Sequence, residues 1–174
     1  MSAVEVDTAA RTLTFAGETI PCAIGKGGAC PASAKQEGDG CTPLGSWPVR
    51  GVLLRPERAA LPTTALSIPW RWTRANDGWS DGIDDPAYNR PVTLPHRFSH
   101  ERLQREDAAY DIIVVLGHND MPPMPGMGSA IFWHLWVNGP DGTPKPTEGC
   151  VAIARDAMQY ILPRLTSATI MNIR

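Results

Sequence analysis

The sequence contains 174 residues, with 16 lysines and arginines against 18 aspartates and glutamates, a formal net charge of −2. The basic residues are scattered along the chain, which argues against a nucleic-acid-binding or membrane-surface protein. This length suits one domain over residues 1–174, and no apolar run is long enough to predict a membrane span. Residues 1–15 lack the basic and apolar regions of a secretory signal, so we expect either a cytosolic chain or one that follows a removed leader.

Short apolar runs separated by turn residues occupy residues 4–25, a pattern that predicts a β-meander. A loop rich in glycine and proline follows. Three cysteines, Cys22, Cys30 and Cys41, lie close together in this region. In an oxidising compartment one disulfide could join two of them, and otherwise they are small buried or loop thiols. They form no CxxC pair and have no histidine at metal-ligand spacing, so we expect no metal site.

The centre of the chain, residues 69–100, mixes tryptophan, aspartate and proline without the period of a strand or a helix. We expect long ordered loops there, because abundant aromatic residues argue against disorder. Residues 110–119 then form a continuous β-branched run that predicts a buried strand, and residues 129–137 predict a second strand at the centre of the sheet. In that second strand we expect one face to carry Ile131, Trp133, Leu135 and Val137 and the other to carry Phe132, His134 and Trp136.

The C-terminal part predicts a helix and a last strand. Apolar residues recur at helical spacing after Cys150, and residues 166–174 read as a closing strand. The helical positions are Ile153, Ala157, Met158, Ile161, Leu162 and Leu165.

Cys150 follows a glycine directly, in the run PTEGCVAI at residues 146–153, and stands at the mouth of an apolar segment. A cysteine placed for packing usually lies inside such a segment. His134 lies on the predicted second strand, and a Gly/Pro-rich excursion long enough to turn the chain back separates it from Cys150. A neighbouring imidazole can take the proton of a thiol and form the thiolate–imidazolium pair that acyl transfer requires.

Gly149 adds to this pattern, because a glycine lets the backbone approach a substrate closely. The amides of Gly149 and Cys150 could point at a developing oxyanion. The alternative is a buried cysteine and a satisfied core histidine, which would explain both residues without any chemistry. His118 and Asn119 end the first predicted strand at what we expect to be the same rim, where His118 is expected to be a structural partner and not a second base.

The segments GSAIFWH (128–134) and TEGCVAI (147–153) together resemble the catalytic signature of the YkuD-type L,D-transpeptidases, a strand histidine followed by Ser/Thr-x-Gly-Cys. Residues 35–49 resemble the family's Lys-x-Glu-Gly-Asp and Thr-Pro-x-Gly motifs. Residues 79–92 and 99–120 resemble the central region of its short, single-domain members. The resemblance extends over roughly residues 10–174 and implies a mostly β fold with few helices, the L,D-transpeptidase β-sandwich catalytic domain.

The resemblance also implies a chemistry without a cofactor. Cys150 would be the nucleophile and His134 its general base, oriented by a small hydroxyl or a backbone carbonyl, for which Ser129 and Leu135 are the candidates. The substrate would be a peptidoglycan stem peptide, acylated at a diaminopimelate carbonyl with release of D-alanine and then transferred to an amine of a neighbouring stem. Such a substrate implies a periplasmic or cell-envelope location.

Three positions depart from the family's pattern. Leu135 stands where many members have glycine, and Glu148 stands where many have a second histidine. Ala152 stands where many have an arginine or asparagine that reads a substrate carboxylate. Recognition of the donor must then differ, and we keep open a crosslink that involves the first stem residue instead of two diaminopimelates.

Six polar residues are expected around the substrate: Glu148, Ser129, Arg90, Asn89, Tyr88 and Asn119. Arg90 could clamp a carboxylate through two hydrogen bonds and replace what Ala152 lacks. Residues 79–90, with the acids Asp81, Asp84 and Asp85, could form a lid that carries polar groups for a zwitterionic stem peptide. The other interpretation is a loop whose aromatic residues pack on the sheet and whose acids cap turns.

Two other functions stay open. The same Cys–His pair could serve an amidase or an L,D-carboxypeptidase, which would release product without crosslinks. A wall-binding module with an inactive site would instead keep Cys150 as unreactive as an ordinary thiol.

Overall fold

The structure is a computed structural model that describes residues 3–174. Strands make up most of the regular secondary structure of the described residues, with one α-helix and three short 3₁₀ turns. None of these helices combines the length and the hydropathy that a membrane crossing requires. The elements are β1 (Ala3–Asp7), β2 (Thr12–Phe15), β3 (Glu18–Pro21), β4 (Ala29–Pro31), β5 (Thr42–Leu54), β6 (Trp70–Trp72), β7 (Asp77–Ser80), β8 (Pro91–Thr93), β9 (His100–Arg102), β10 (Ile112–Leu116), β11 (Phe132–Leu135), β12 (Val151–Ile153), α1 (Arg155–Ile161) and β13 (Ile170–Ile173).

The main sheet is organised around β5. Its strand order is β12-β11-β10-β5-β13-β1-β2-β3, and β4 and β6 also pair with β5. The first part of β5, up to Pro48, pairs with β13, whereas its second part, from Val49, pairs with β10. A long strand shared in this way lets one sheet fold into two groups of strands that face each other.

The apolar core lies between these two groups and α1. Val4 and Leu13 come from one group, Leu54 and Trp133 come from the other, and Met158 comes from the helix. All five side chains are fully buried. A core shared by two groups of strands confirms the expected mostly β, sandwich-like fold with few helices.

A second apolar cluster lies on the opposite face of β10 and β11. Along β10, Ile112 and Val114 belong to the main core, whereas Ile113 belongs to the second cluster together with Phe132 and Cys150. Both faces of β10 are therefore covered, which explains why its sequence is a continuous β-branched run without polar alternation.

A three-stranded sheet of order β8-β7-β9, here called the cap sheet, packs against this second cluster. Trp79 of β7 meets the ring of Phe132 edge-on, with ring centroids 5.1 Å apart. The expectation that residues 69–100 are loops was wrong in part, since they contain β6, β7, β8 and the start of β9. Strands of three or four residues are too short to show a period in the sequence.

The two strands predicted at residues 110–119 and 129–137 are present but shorter than expected. Residues 110–119 contain β10, and residues 129–137 contain β11, and the two strands pair antiparallel. Because β11 ends at Leu135, the alternation stops there, and Val137 packs against the second cluster instead of sharing the face of Trp133. The predicted position of Val137 was therefore wrong.

The remaining elements agree with the sequence patterns within narrower bounds. β1, β2 and β3 form the predicted antiparallel meander. The C-terminal helix begins at Arg155, because Ile153 belongs to β12, and residues 166–174 contain β13.

One of the disulfides that the sequence left open is present. Cys30 and Cys41 are joined, with an S–S distance of 2.07 Å, whereas Cys22 is a free thiol buried in the main core. Burial raises the pKa of Cys22 to about 12. Asp39 lies near the two bonded sulfur atoms, but its carboxylate accepts from the ammonium of Lys35. Disulfide sulfur atoms are not thiolate ligands, so this group does not offer the ligands of a zinc site.

We expect Ile112→Ala to destabilise the protein by about 2–5 kcal/mol, because it leaves a cavity in the centre of the core. Ile112 is fully buried on β10, whereas Ile83 is 56% exposed and supplies the matched control. Denaturant unfolding should show a change within about 0.5 kcal/mol for Ile83→Ala. Equal losses for the two variants would contradict the position given to the core.

Candidate active site

Cys150 and His134 are brought together by the parallel pairing of β11 and β12. In this register His134 lies opposite Ala152, so Cys150, two residues before Ala152, lies next to Phe132. The Phe132 amide donates to Cys150 Sγ at 3.4 Å, and the thiol lies 3.3 Å from the Ala130 carbonyl. Alternate residues of a strand share a face, so His134 extends from the same side of β11 as Phe132.

Both side chains line one cavity of about 570 Å³. This volume lies in the range of sites that bind small molecules or short peptide segments. The floor is formed by β11, β12 and the residues before them. The walls come from the cap sheet and from the loop that carries the disulfide. The polar wall residues used below are Lys35, Glu37, Asp81, Glu101, Arg105, Asp107, Ser129 and Glu148.

His134 is oriented by its backbone neighbour. Its Nδ1 lies 2.8 Å from the Leu135 carbonyl oxygen, and the ring of Tyr110 meets it edge-on at 5.1 Å. A neutral imidazole that donates from Nδ1 keeps the lone pair of Nε2 for accepting a proton. Of the two candidates for this role, the Leu135 carbonyl is the partner in the structure, and Ser129 is not.

Burial makes the charged forms of both residues unfavourable. It raises the pKa of the Cys150 thiol to about 12, and it lowers the pKa of His134 to about 4. Both shifts favour the uncharged forms of the two residues, a thiol and a neutral imidazole, in the free protein. Attack on an acyl group would then require transfer of the thiol proton.

Gly149 is required by the backbone of the turn before Cys150. Its φ is +136°, and an added Cβ would lie 2.8 Å from the Cys41 carbonyl oxygen. The Thr147 hydroxyl accepts from the Gly149 amide at 3.1 Å and donates to the Cys150 carbonyl at 2.6 Å. The Gly149 amide is thus engaged within the turn. The missing side chain allows the close approach of the disulfide loop, a contact that the sequence did not predict.

The free edge of β12 is covered by an N-terminal segment. Ala23 and Ala152 exchange two backbone hydrogen bonds of 2.8 and 2.9 Å. Ala152 also lines the cavity, where its methyl group offers no polar contact. At the rim, Glu148 forms an exposed ion pair of 2.7 Å with Lys26. This ion pair with Lys26 therefore competes with any contact of the Glu148 carboxylate with the imidazolium or with a substrate ammonium.

Asn89, Arg90 and Asn119 do not line the cavity. Asn89 accepts from the Trp79 indole at 2.9 Å and from the Ala130 amide at 3.1 Å. Because the Ala130 carbonyl accepts from the Cys150 thiol, Asn89 holds the backbone that positions Cys150. Arg90 donates to the Asp120 carbonyl at 2.6 Å, and Asn119 closes its own loop through Met124 and Gly128.

Tyr88 and His118 also make structural contacts. The Tyr88 side chain is buried, and its hydroxyl donates to Glu37, a cavity residue, at 2.5 Å. His118 Nε2 lies 3.1 Å from the Met127 carbonyl, and its ring meets Trp47 edge-on. His118 is thus a packing partner, as expected. These contacts agree with the interpretation of residues 79–90 as a packed loop.

Several polar cavity residues were not identified as site residues from the sequence, among them Lys35, Glu37, Glu101 and Tyr110, whereas Asp81 belongs to the expected lid. Lys35 belongs to the Lys-x-Glu-Gly-Asp motif, which is a signal that could have singled it out. Glu101 and Tyr110 are joined by a hydrogen bond of 2.6 Å. They lie on different elements, so no spacing in the sequence marks them.

Gly149→Ala should lower the free energy of unfolding by more than Gly142→Ala does. Gly142 has a φ of +79° and open space around an added Cβ. Its alanine variant therefore measures only the strain of a left-handed φ, about 1–3 kcal/mol. The excess loss in Gly149→Ala reports the clash with Cys41 together with the greater strain of an alanine at φ +136°, and denaturant unfolding of both variants measures it. Equal losses would show that the contact with Cys41 is not constraining.

Alkylation of Cys150 by iodoacetamide should be slow in the free protein. With a pKa of about 12, the thiolate fraction at pH 7 is far below that of an ordinary thiol, and we expect a rate at least about tenfold lower. The rate should keep rising up to pH 10, because the thiolate fraction grows with pH. Cys22→Ser removes the other free thiol from the measurement, and Cys150→Ala on that background gives the blank.

A plateau of the alkylation rate below pH 8 would mean that a thiolate–imidazolium pair exists without substrate, against this expectation. Slow alkylation alone would not identify an inactive site, since burial produces it in an active protein as well.

The structure is similar to solved L,D-transpeptidases. An L,D-transpeptidase from Mycobacterium smegmatis is 14% identical, with a TM-score of 0.41 over 99% of this chain and 58% of that chain. L,D-transpeptidase 3 from Mycobacterium tuberculosis, in complex with a faropenem-derived adduct, is 14% identical, with a TM-score of 0.43 over 99% of this chain and 60% of that one. This chain thus spans about three fifths of their length. No curated protein matches the sequence.

The family comparison covers almost every residue. A family model named YkuD and described as the L,D-transpeptidase catalytic domain matches residues 2–173. The chain therefore belongs to the YkuD family of L,D-transpeptidase catalytic domains.

Proposed function

We propose that this protein is a cysteine-dependent L,D-transpeptidase that crosslinks peptidoglycan, with a diaminopimelate-containing stem peptide as its acyl donor. Family membership supports the reaction class. The observation that carries the assignment to residues is the register of β11 and β12, which brings Cys150 and His134 to one cavity. We further propose that residues 1–174 act as a single catalytic domain in the cell envelope, where this substrate lies.

Acylation would begin with a donor carbonyl bound above Cys150. The sulfur attacks the carbonyl carbon while its proton passes to Nε2 of His134. The imidazolium then gives this proton to the departing amine, so D-alanine leaves and a thioester on Cys150 remains. No net charge accumulates in the cavity at either end of this step.

In deacylation an amine would be the attacking group and the Cys150 thiol the leaving group. An amine of a neighbouring stem attacks the thioester, His134 takes the amine proton, and the thiol leaves with a proton returned from the imidazolium. The Leu135 carbonyl supports the imidazolium, because it accepts a hydrogen bond from Nδ1 in either protonation state. Burial of the pair suits this mechanism, since a buried neutral thiol is less open to adventitious reaction than an exposed thiolate.

A second candidate differs only in the acceptor. With water in place of the amine, the same residues would give an L,D-carboxypeptidase or amidase. The apolar methyl group of Ala152 within the cavity favours a donor end that is recognised differently from the usual one, and a crosslink that involves the first stem residue remains part of the proposal. A wall-binding module without activity is the third candidate.

The test is to incubate the protein with purified disaccharide tripeptides and tetrapeptides and to identify the products by tandem mass spectrometry. We expect crosslinked dimers that disappear with Cys150→Ala and fall at least about a hundredfold with His134→Gln, because the general base is lost. Fragmentation of the dimers identifies the joined residues.

The matched control is Cys22→Ser, which removes a buried thiol of similarly raised pKa away from the cavity and should leave dimer formation intact. Monomers shortened by one residue would favour the carboxypeptidase. Dimers that persist in Cys150→Ala would overturn the assignment of the nucleophile, and unchanged substrates would favour the binding module.

A further inference from the structure

The cavity has an acidic wall that the proposed acyl transfer does not use. Glu37 comes from the disulfide loop, Asp81 directly follows β7, and Glu101 lies on β9. All three line the same cavity as Cys150. We call these three residues the acid wall. They come from three separate segments of the chain, so the fold itself brings them together.

The cations nearest to the acid wall already have anionic partners. Lys35 is buried and forms an ion pair of 2.5 Å with Asp39. Arg105 donates twice to Asp107, at 2.8 and 3.2 Å, and only approaches Glu101, at 3.6 Å. Lys145 also lines the cavity but is exposed at its rim. The negative charge of the wall is therefore incompletely balanced by the protein.

The three carboxylates act on one another electrostatically. Burial raises the pKa of Glu101, the hydrogen bond from Tyr110 and the charge of Arg105 lower it in part, and the charges of Asp81 and Glu37 raise it. Like charges held together in a cavity favour either protonation or the binding of a cation. The fold maintains this repulsion at a point next to the candidate nucleophile.

Two buried polar atoms of the cavity lack partners among the described residues. Asp81 Oδ1 is buried and accepts no hydrogen bond, and Ser129 Oγ makes none of acceptable geometry. The Ser129 side chain is only 7% exposed, lines the cavity, and lies beside the Tyr88 hydroxyl that donates to Glu37. Buried polar atoms normally have partners, so these two point to a ligand that supplies hydrogen bonds.

We propose that the acid wall and Ser129 form a subsite for a primary ammonium group of the acyl donor, one that takes no part in bond making. An ammonium carries one positive charge and three N–H donors, which match carboxylate and hydroxyl acceptors. This subsite rests on the proposed function for the identity of the donor. It adds a specificity determinant, contributed by the cap sheet, the disulfide loop and Ser129, in the same cavity as the Cys–His pair.

The subsite would also influence the reaction. The negative charge of Glu101 contributes to the raised pKa of the Cys150 thiol. An ammonium bound against Glu101 offsets that charge and so favours transfer of the thiol proton. A donor that carries the ammonium would therefore both bind better and react faster than one that lacks it.

The experiment compares two donor tetrapeptides that differ only in acetylation of the side-chain amine of diaminopimelate. Calorimetry with Cys150→Ala protein measures binding without turnover. We expect acetylation to weaken binding at least tenfold. The ratio of the two dissociation constants, acetylated over unacetylated peptide, measures this effect. Asp81→Asn and Glu101→Gln, each added to Cys150→Ala, should reduce the ratio at least threefold, because each removes one charge and keeps a hydrogen-bonding side chain of the same size.

The matched control is Asp84→Asn, an exposed acid three residues from Asp81 that does not line the cavity. It should leave the tenfold ratio unchanged. Equal binding of the two peptides, or a lack of binding by both, would overturn the subsite. So would an unchanged ratio in both Asp81→Asn and Glu101→Gln.

Turnover by the wild-type protein, with an excess of unmodified acceptor, separates this proposal from the function on which it rests. Crosslinking that proceeds equally with both donors would overturn the subsite and leave the transpeptidase intact. Selective binding without any Cys150-dependent product would leave the subsite intact and overturn the proposed reaction.

Discussion

The parallel pairing of β11 with β12 is the constraint on which the cavity depends. Parallel neighbours cannot be joined by a tight turn, so the chain must leave β11, loop outward and return in the same direction. The excursion from Trp136 to Gly149 does this, and the Lys145 amide fixes it by donating to the Val137 carbonyl at 2.9 Å. Its return point is Cys150. The thiol is therefore placed by backbone pairing and not by a flexible loop.

The same constraint explains why distant segments contribute to the turn before Cys150. Ala23 pairs with the free edge of β12, and the Cys41 carbonyl packs against Gly149. Cys41 is in turn joined to Cys30, and its amide donates to Asp39 at 2.8 Å. The disulfide loop thus supports the backbone around Cys150 while Lys35 and Glu37 of the same loop line the cavity. One segment serves both purposes.

The sequence predicted those parts of the site that lie along one stretch of chain. Cys150, Gly149 and His134 were recognised because their signals are local: a glycine before a cysteine, and a histidine within an apolar strand. Asn89 and Arg90 were expected at the substrate because their side chains are polar and lie in an aromatic loop. The structure uses them to hold backbone carbonyls and amides instead. Polarity alone does not tell a side chain that binds a substrate from one that satisfies a buried backbone.

The acid wall was recognised only in part. Glu37 stands in the family's motif and Asp81 in the expected lid, but nothing in the sequence joins them to Glu101. The three residues meet where the cap sheet packs against Phe132 through Trp79, and the strands of that sheet are too short to show a period in the sequence. The mostly β fold was predictable because it rests on long apolar runs, such as that of β10, which the sequence shows directly.

The charge around the cavity is distributed differently over its floor and its walls. The floor, which carries Cys150 and His134, is nearly without free charge: Ala152 is apolar, and Glu148 is held by Lys26 at the rim. The unbalanced charge lies on the cap sheet and the disulfide loop. An uncharged floor suits the burial that disfavours the charged forms of Cys150 and His134, whereas Glu101 on the wall adds to the raised pKa of the Cys150 thiol. Recognition of a charged substrate is therefore best placed on the opposite wall, where the polar residues of this chain are found.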